Sequence, residues 1–257
     1  MKILYFTSTG NCLHVAKKLN GELLSIPQLE KNKTYEINDD VVGIITPIYG
    51  FDIPRPAREY LSKVKISANY VFCIMTYGKY PMGATYMMQK LLIQRGINLN
   101  YLNEIEMVDN FLPGYKIEKE LAIKDNAEID IKIETIARDI QERKYYILQK
   151  NFSTVLTSKV FSSVYASGMG KKIMNSSAKN FYITNDCANC GICCKVCPMN
   201  NITIRDKPEY LDKCEFCLAC IHICPKNAIH LKNQRSSVRF KHKDITVAEI
   251  ISANCQI

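Results

Sequence analysis

The chain of 257 residues has no tryptophan and no apolar stretch that approaches a membrane span. Its N-terminus, "MKILYFTSTGN", carries an apolar run far too short for a secretory signal and lacks the small-residue cleavage site. A cytoplasmic protein is expected. Two nucleotide signatures are also missing: neither G-x4-G-K-[ST] nor G-x-G-x-x-G is present. Direct use of NAD(P)H is therefore not indicated. There is no nucleic-acid-binding motif and no basic stripe interleaved with aromatics, which sets nucleic acid aside as a partner. Residues 151–180 contain no proline and no acidic residue.

The chain does have an ordinary globular balance, with 47% apolar and 23% charged residues, and 15 tyrosines and 9 phenylalanines for aromatic packing. It has 12 cysteines. In a reducing compartment that number argues for a metal or cluster and against disulfides. The net charge of +9 is uneven. Residues 1–150 carry 20 basic and 18 acidic side chains, and residues 181–231 carry 5 of each. The excess sits in residues 151–180, with 4 against 0, and in the tail, with 5 against 2. Such a surface aids solubility and would also suit an acidic partner protein.

Residues 1–150 alternate strand and helix signals. Buried apolar runs at 2–6, 22–26, 41–49, 70–78 and 98–108 read as strands. Helical patterns fall between them at 12–20, 55–64 and 83–96, the last closed by Gly96. Ile129, Ile133, Ile136 and Ile140 then recur on one helical face. This alternation predicts an α/β fold with a parallel sheet covered on both faces. In residues 151–180, Phe152, Val155, Leu156, Val160, Phe161 and Val164 predict an amphipathic connector helix packed on its neighbour. Residues 181–231 are dense in cysteine, with short β-like arms at "NITI" and "AIHL". In the tail, 232–257, Thr246 and Glu249 have capping-box spacing and predict a short final helix.

Two cysteine runs dominate the C-terminal part. "CANCGICCKVCP" and "CEFCLACIHICP" superpose with an offset of 27 residues. Cys187, Cys190, Cys193 and Cys197 map onto Cys214, Cys217, Cys220 and Cys224, and Pro198 onto Pro225. Each half reads C-x2-C-x2-C-x3-C-P. The short spacing lets three thiolates converge on three corners of one cubane, while the fourth corner comes from elsewhere. Zinc knuckles use C-x2-C pairs at longer separation, not three cysteines in one tight run. Cys194 has no counterpart in the second run, where Ile221 stands, and reads as a buried small apolar residue.

A second feature lies at the start. In "YFTSTGNCLHVAKKL" a strand ends, a hydroxyl-rich loop with one glycine follows, and a helix begins. Backbone N–H groups, hydroxyls and the helix dipole there suit an anion. With no Lys or Arg inside it, the loop suits a single terminal phosphate. "TPIYGFDIP" and "TYGKYPMG" each follow a strand at its C-terminal end, where open parallel sheets bind ligands. Both hold a Tyr-Gly pair, able to stack on a flat ring and to approach its edge with bare backbone.

With these motifs, residues 1–150 resemble a flavodoxin, residues 181–231 resemble a bacterial two-cluster ferredoxin, and the whole chain resembles the flavodoxin–ferredoxin fusion proteins of anaerobic bacteria. The resemblance implies a doubly wound five-stranded parallel sheet with a second, small α+β domain. It implies FMN, with Thr7, Ser8, Thr9, Gly10 and Asn11 around the phosphate. Cys12 stands where flavodoxins usually have Thr or Ser, which weakens one phosphate contact. Pro47, Ile48, Tyr49, Gly50, Thr76, Tyr77, Gly78 and Lys79 would meet the ring, with Tyr49 and Tyr77 flanking it. Lys79 departs from the acidic surroundings of flavodoxins and is expected to favour anionic reduced FMN.

The resemblance also implies two [4Fe-4S] clusters with exchanged fourth ligands. One would take Cys187, Cys190, Cys193 and Cys224, the other Cys214, Cys217, Cys220 and Cys197. The implied role is electron transfer between FMN, the clusters and external redox proteins. An FMN-dependent oxidoreductase fed through the clusters is the alternative. A homodimer is left open.

Overall fold

The computed structural model describes residues 1–166 and 179–257. The apolar runs of the first half form parallel strands in one sheet. These are β1 (Lys2–Tyr5), β2 (Glu22–Ser25), β4 (Val41–Pro47), β6 (Tyr70–Tyr77), β7 (Tyr101–Glu106) and β8 (Tyr146–Ile147), in the order β2-β1-β4-β6-β7-β8. β3 (Glu36–Asn38) and β5 (Lys65–Ser67) pair separately beside it. The first five strands of the large sheet follow the order 2-1-3-4-5, which is the flavodoxin-like doubly wound order. The expected five strands become six because β8 adds a two-residue edge, pairing Tyr101 with Tyr146 and Leu102 with Ile147. Two residues are too few to show a periodicity.

Strand residues alternate between two cores. Ile3, Tyr5, Phe72 and Ile74 face α1 (Asn11–Lys18) and α6 (Asn126–Gln141), the helix carrying Ile129, Ile133, Ile136 and Ile140. Leu4, Phe6, Val71, Cys73 and Met75 face α2 (Ile26–Lys31), α3 (Arg55–Leu61) and α4 (Ala84–Gln94). α5 (Ile117–Ile123) lies between β7 and α6 in sequence. Asp125 caps α6, accepting from Ala127 N at 2.7 Å.

α7 (Phe152–Ala166) forms in the connector, but its apolar stripe does not pack as expected. Phe152, Leu156 and Val160 are exposed, while Val155 and Ser158 are buried. The reason is close approach: a Cβ on Gly83 would lie 2.9 Å from Thr154 O, and Ser158 Oγ accepts from Gly83 N at 2.7 Å. The helix meets α4 through its small residues, which leaves the larger ones outward. The rest of the connector, 167–178, lies outside the described residues, as do the side chains of Phe161 and Val164. Among the described residues, no helix is long and apolar enough to cross a membrane.

The cysteine-rich part folds on two short antiparallel pairs. β10 (Ile202–Ile204) pairs with β11 (Pro208–Tyr210), and β12 (Ile229–Leu231) pairs with β9 (Phe181–Ile183). Short helices α8 (Ile192–Lys195) and α9 (Ala219–His222) carry the middle of each cysteine run. The sequence repeat is a backbone repeat as well. Left-handed φ angles recur at the same offset: Asn189 and Phe216 (52° and 55°), Gly191 and Leu218 (74° and 60°), Asn200 and Asn227 (46° and 49°).

The tail straps both parts together. The expected final helix is α10 (Val247–Asn254), with the full Thr246–Glu249 capping box. The buried Asn254 amide donates to Thr7 O at 3.0 Å and to Val196 O at 3.2 Å, joining the first loop to the first cysteine run. His242 N donates to Thr9 O at 2.9 Å. Its ring stacks on His14 with centroids 3.9 Å apart. Both rings turn a nitrogen towards Asp244 Oδ2, His14 Nδ1 at 3.8 Å and His242 Nδ1 at 4.0 Å.

Burial, with His14 adding to it, lowers His242 to about 4, while the unfolded chain titrates near 6.5. The unfolded state therefore takes up the proton first. The stabilisation is full above pH 6.5 and declines as pH falls towards 4. Between pH 7.5 and 5 the wild type should lose about 2 kcal/mol more than His242→Gln in urea unfolding. Equal losses would show that His242 is not held neutral.

Candidate functional site

The loops after β1, β4, β6 and β7 all emerge at the C-terminal edge of the sheet, on the side of the switch point between β1 and β4. They enclose a cavity of ≈ 490 Å³. It is lined by Thr7, Ser8, Thr9, Asn11, Cys12, Pro47, Ile48, Tyr49, Gly50, Thr76, Tyr77, Gly78 and Lys79. Gly10 alone among the expected residues is absent from the wall. At φ 107° it begins α1, and a Cβ there would lie 3.0 Å from His242 Cβ.

Hydrogen bonding in the first loop leaves donors free. Tyr49 OH donates to Ser8 Oγ at 2.9 Å, and Asn110 Nδ2 donates to Thr9 Oγ1 at 2.7 Å. Each hydroxyl thus accepts a bond and keeps its own proton to give. Thr7 Oγ1 and Asn11 Oδ1 are buried with no protein partner. Such orphaned groups facing a cavity fit a polar ligand. Cys12 Sγ lies 3.1 Å from Thr76 Oγ1, so its thiol is engaged within the wall.

Tyr49 sits in a tight turn closed by its mutual backbone bonds with Asp52, and both central residues are left-handed (Gly50 φ 56°, Phe51 φ 65°). The Tyr49 ring meets Phe6 edge-on at 6.4 Å, and burial pushes its phenol well above the ordinary value. Burial likewise pushes Tyr77 up to about 12. Lys79 lines the cavity, but its charge is already matched: the ammonium lies 3.2 Å from buried Glu120 Oε1 and over the Tyr115 ring. Its expected effect on an anionic ring is correspondingly reduced.

Sequence reading missed two walls. One is the loop after β7, with Val108, Asp109, Asn110 and Phe111. Its position after a parallel strand was the available signal. The other is Glu215, Phe216, Cys217 and Leu218, from the second cysteine run. No local pattern announces that contact. Arg55, the first residue of α3, holds this wall: its N donates to Glu215 Oε1 (2.9 Å), its Nε to Glu215 Oε2 (2.7 Å) and its Nη2 to Cys214 O (2.8 Å).

The cysteines gather in two sets, each around a small cavity. Cys187, Cys190, Cys193 and Cys224 line one, and Cys197, Cys214, Cys217 and Cys220 line the other. Backbone N–H groups point at sulfur: Asn201 to Cys197 (3.4 Å), Phe216 to Cys214 (3.3 Å) and Ala228 to Cys224 (3.3 Å). As bare thiols, burial pushes Cys193 to about 12 and Cys214 to about 11. A cationic centre would be needed to hold such sets as thiolates, so four sulfurs per cavity with N–H donors fit an iron–sulfur cluster. Cys194 is buried and lines neither cavity. A separate cleft of ≈ 530 Å³ beside β7 and α6 is walled by Glu104, Glu106, Glu128, Lys124 and Lys132 and includes no cysteine.

Residues 210–230 match the 4Fe-4S binding domain family. No curated protein matches the chain. Among solved structures, it is similar to the rubredoxin oxygen:oxidoreductase from the anaerobe Desulfovibrio gigas, at 11% identity and TM-score 0.35, over 55% of this chain and 36% of that one. A flavoprotein in complex with FMN from Lactobacillus acidophilus shows 16% identity and TM-score 0.30, over 40% of this chain and 91% of that one. The Trp repressor binding protein from Bacillus subtilis shows 11% and 0.36, over 56% and 97%. The strand order carries the fold independently of these distant likenesses. The chain joins a flavodoxin-like α/β sheet to a ferredoxin-like region with 4Fe-4S binding sequence.

Removing the Arg55 side chain would take the cationic partner from the Glu215 carboxylate, whose side chain is fully buried, and leave it the Arg55 N–H. Arg55→Ala should destabilise the protein by about 3–5 kcal/mol. Arg55→Ala with Glu215→Ala should cost less than the sum of the single changes in denaturant titrations. Strict additivity would mean the pair does not clamp the wall.

Proposed function

We propose that the chain is an electron-transfer protein in which FMN occupies the large cavity and two [4Fe-4S] clusters occupy the cysteine cavities. The observation that carries this reading is a shared wall: Cys217 and Leu218 line both the large cavity and the cavity of Cys197, Cys214 and Cys220. Electrons would then cross one side-chain layer, with no diffusional encounter. Bound FMN would supply a centre that takes one or two electrons, and each cluster one.

The protein's own groups have distinct tasks in this reading. Thr7, Ser8 and Thr9 present hydroxyl donors to the phosphate, aided by backbone N–H groups at the start of α1. Tyr49 and Tyr77 bound the ring, and Gly50 brings bare backbone to its edge. Cys187, Cys190, Cys193 and Cys224 hold the outer cluster, where Cys190 is exposed and offers external redox proteins a contact. Cys214, Cys217, Cys220 and Cys197 hold the inner cluster beside the flavin. On this reading 1–150 is the flavin domain, 151–180 the connector, 181–231 the cluster domain and 232–257 the strap. The protein works in the cytoplasm.

Anaerobic purification with iron, sulfide and FMN quantified tests the proposal. About eight irons and one FMN per chain are expected. Reduction should reach the flavin through the clusters, so Cys190→Ser should slow flavin bleaching by a reduced ferredoxin-type donor. Bound zinc without sulfide would overturn the reading.

A further inference from the structure

Asp109 stands in the large cavity with an arrangement unlike that of its other titratable groups. Its Oδ1 accepts from Phe111 N at 2.9 Å. Its Oδ2 lies over Gly78, so close that a Cβ on Gly78 would fall 2.0 Å away. Only a glycine at 78 allows the carboxyl this place on the wall. The cations around it are already taken: Lys79 pairs with Glu120, and Lys124 pairs with Glu106. Glu120 adds negative charge, Tyr115 lies beside the carboxyl, and Glu215 across the cavity is paired with Arg55. Among the described residues, no side chain hydrogen-bonds Asp109. Burial, with Glu120 adding to it, raises the carboxyl to about 6.

Three other titratable groups of the cavity are poor proton sources near neutral pH. Burial lifts the Tyr49 phenol well above its ordinary value and Tyr77 to about 12, and the Lys79 ammonium is held by Glu120. No histidine lines the cavity. Electrons that arrive through cysteine-bound clusters bring no proton with them, so ring reduction in this enclosure needs a local donor.

We propose that Asp109 is the proton-exchange residue of the flavin cavity, an inference that rests on FMN occupying it. Two electrons enter one at a time from a reduced ferredoxin-type donor. As they do, the O–H bond at Asp109 Oδ2 breaks and an N–H bond forms on the ring. The carboxylate then regains a proton from solvent at the rim, where Tyr80 and Phe111 are exposed. Electron departure reverses the transfer. A carboxyl that switches near neutrality suits both directions.

The test first measures FMN bound to wild type, Asp109→Asn and Gly78→Ala, then the FMN midpoint potential from pH 5.5 to 8.5 by spectroelectrochemistry. In the wild type the potential–pH curve should bend near pH 6. In Asp109→Asn the bend should vanish with FMN still bound, and flavin reduction at pH 7 should slow about 100-fold. Gly78→Ala, which displaces the carboxyl, should shift or abolish the bend. Bound FMN with the same bend in Asp109→Asn overturns the role of Asp109 alone. A wild type that binds no FMN overturns both this role and the flavin reading.

Discussion

The side chain of Glu215 is a carboxylate with no exposed surface, and its burial is tolerable because Arg55 meets it with two of its N–H groups. Desolvating both charges gains little net stability against an apolar pair of similar size. What it gives is geometry. A fork of fixed donors on a carboxylate and on Cys214 O sets the distance between α3 and the second cysteine run. α3 is itself locked to the Tyr49 turn, because Asp52 binds Arg58 and Ile53 N. The wall of the large cavity and the floor of the neighbouring cysteine cavity are therefore one piece of structure, anchored at one charged contact.

The strap acts on the opposite side of the same assembly. Asn254 bonds to the first loop and to the first cysteine run at once, while Gln28 reaches Cys255 O. The apolar core records the same union: Val196, Ala219 and Ile223 pack with Ile245 and Ile250 against the β1–β4–β6 face. The flavodoxin-like sheet and the cysteine-rich region are held by one continuous hydrophobic cluster and two polar clamps.

Local sequence recorded much of this. The cysteine spacing repeats at an offset of 27 residues, and the left-handed backbone angles repeat with it. The hydroxyl loop Thr7–Thr9 and the Tyr-Gly pairs were legible as cavity walls because each follows a strand at the C-terminal edge of the sheet. The contribution of Glu215 to Leu218 was not legible. It depends on contacts with residues some 160 positions away, which leave no periodicity in either segment. Asp109 was missed for a related reason: a lone carboxylate after a strand looks like any solvated turn until Gly78 is seen beneath it. The connector helix forms and buries Val155, but three of its apolar residues were misread for a third reason. Phe152, Leu156 and Val160 look like a buried stripe, but Gly83 admits a closer contact through Thr154 and Ser158.

The two cysteine halves differ where their backbones agree. At matching left-handed positions the first half has Asn189 and Gly191, which adopt that conformation easily, and the second has Phe216 and Leu218, which do not. Each bulky residue there costs on the order of 1–2 kcal/mol. Leu218 is buried, and the Phe216 ring stacks on Phe181 at 5.6 Å. The strained half is the one that faces the large cavity. Leu218 lines both that cavity and the inner cysteine cavity, and Phe216 covers the cavity side with aromatic surface. On the electron-transfer reading proposed above, that surface would keep water from the crossing point and leave an electron one short path.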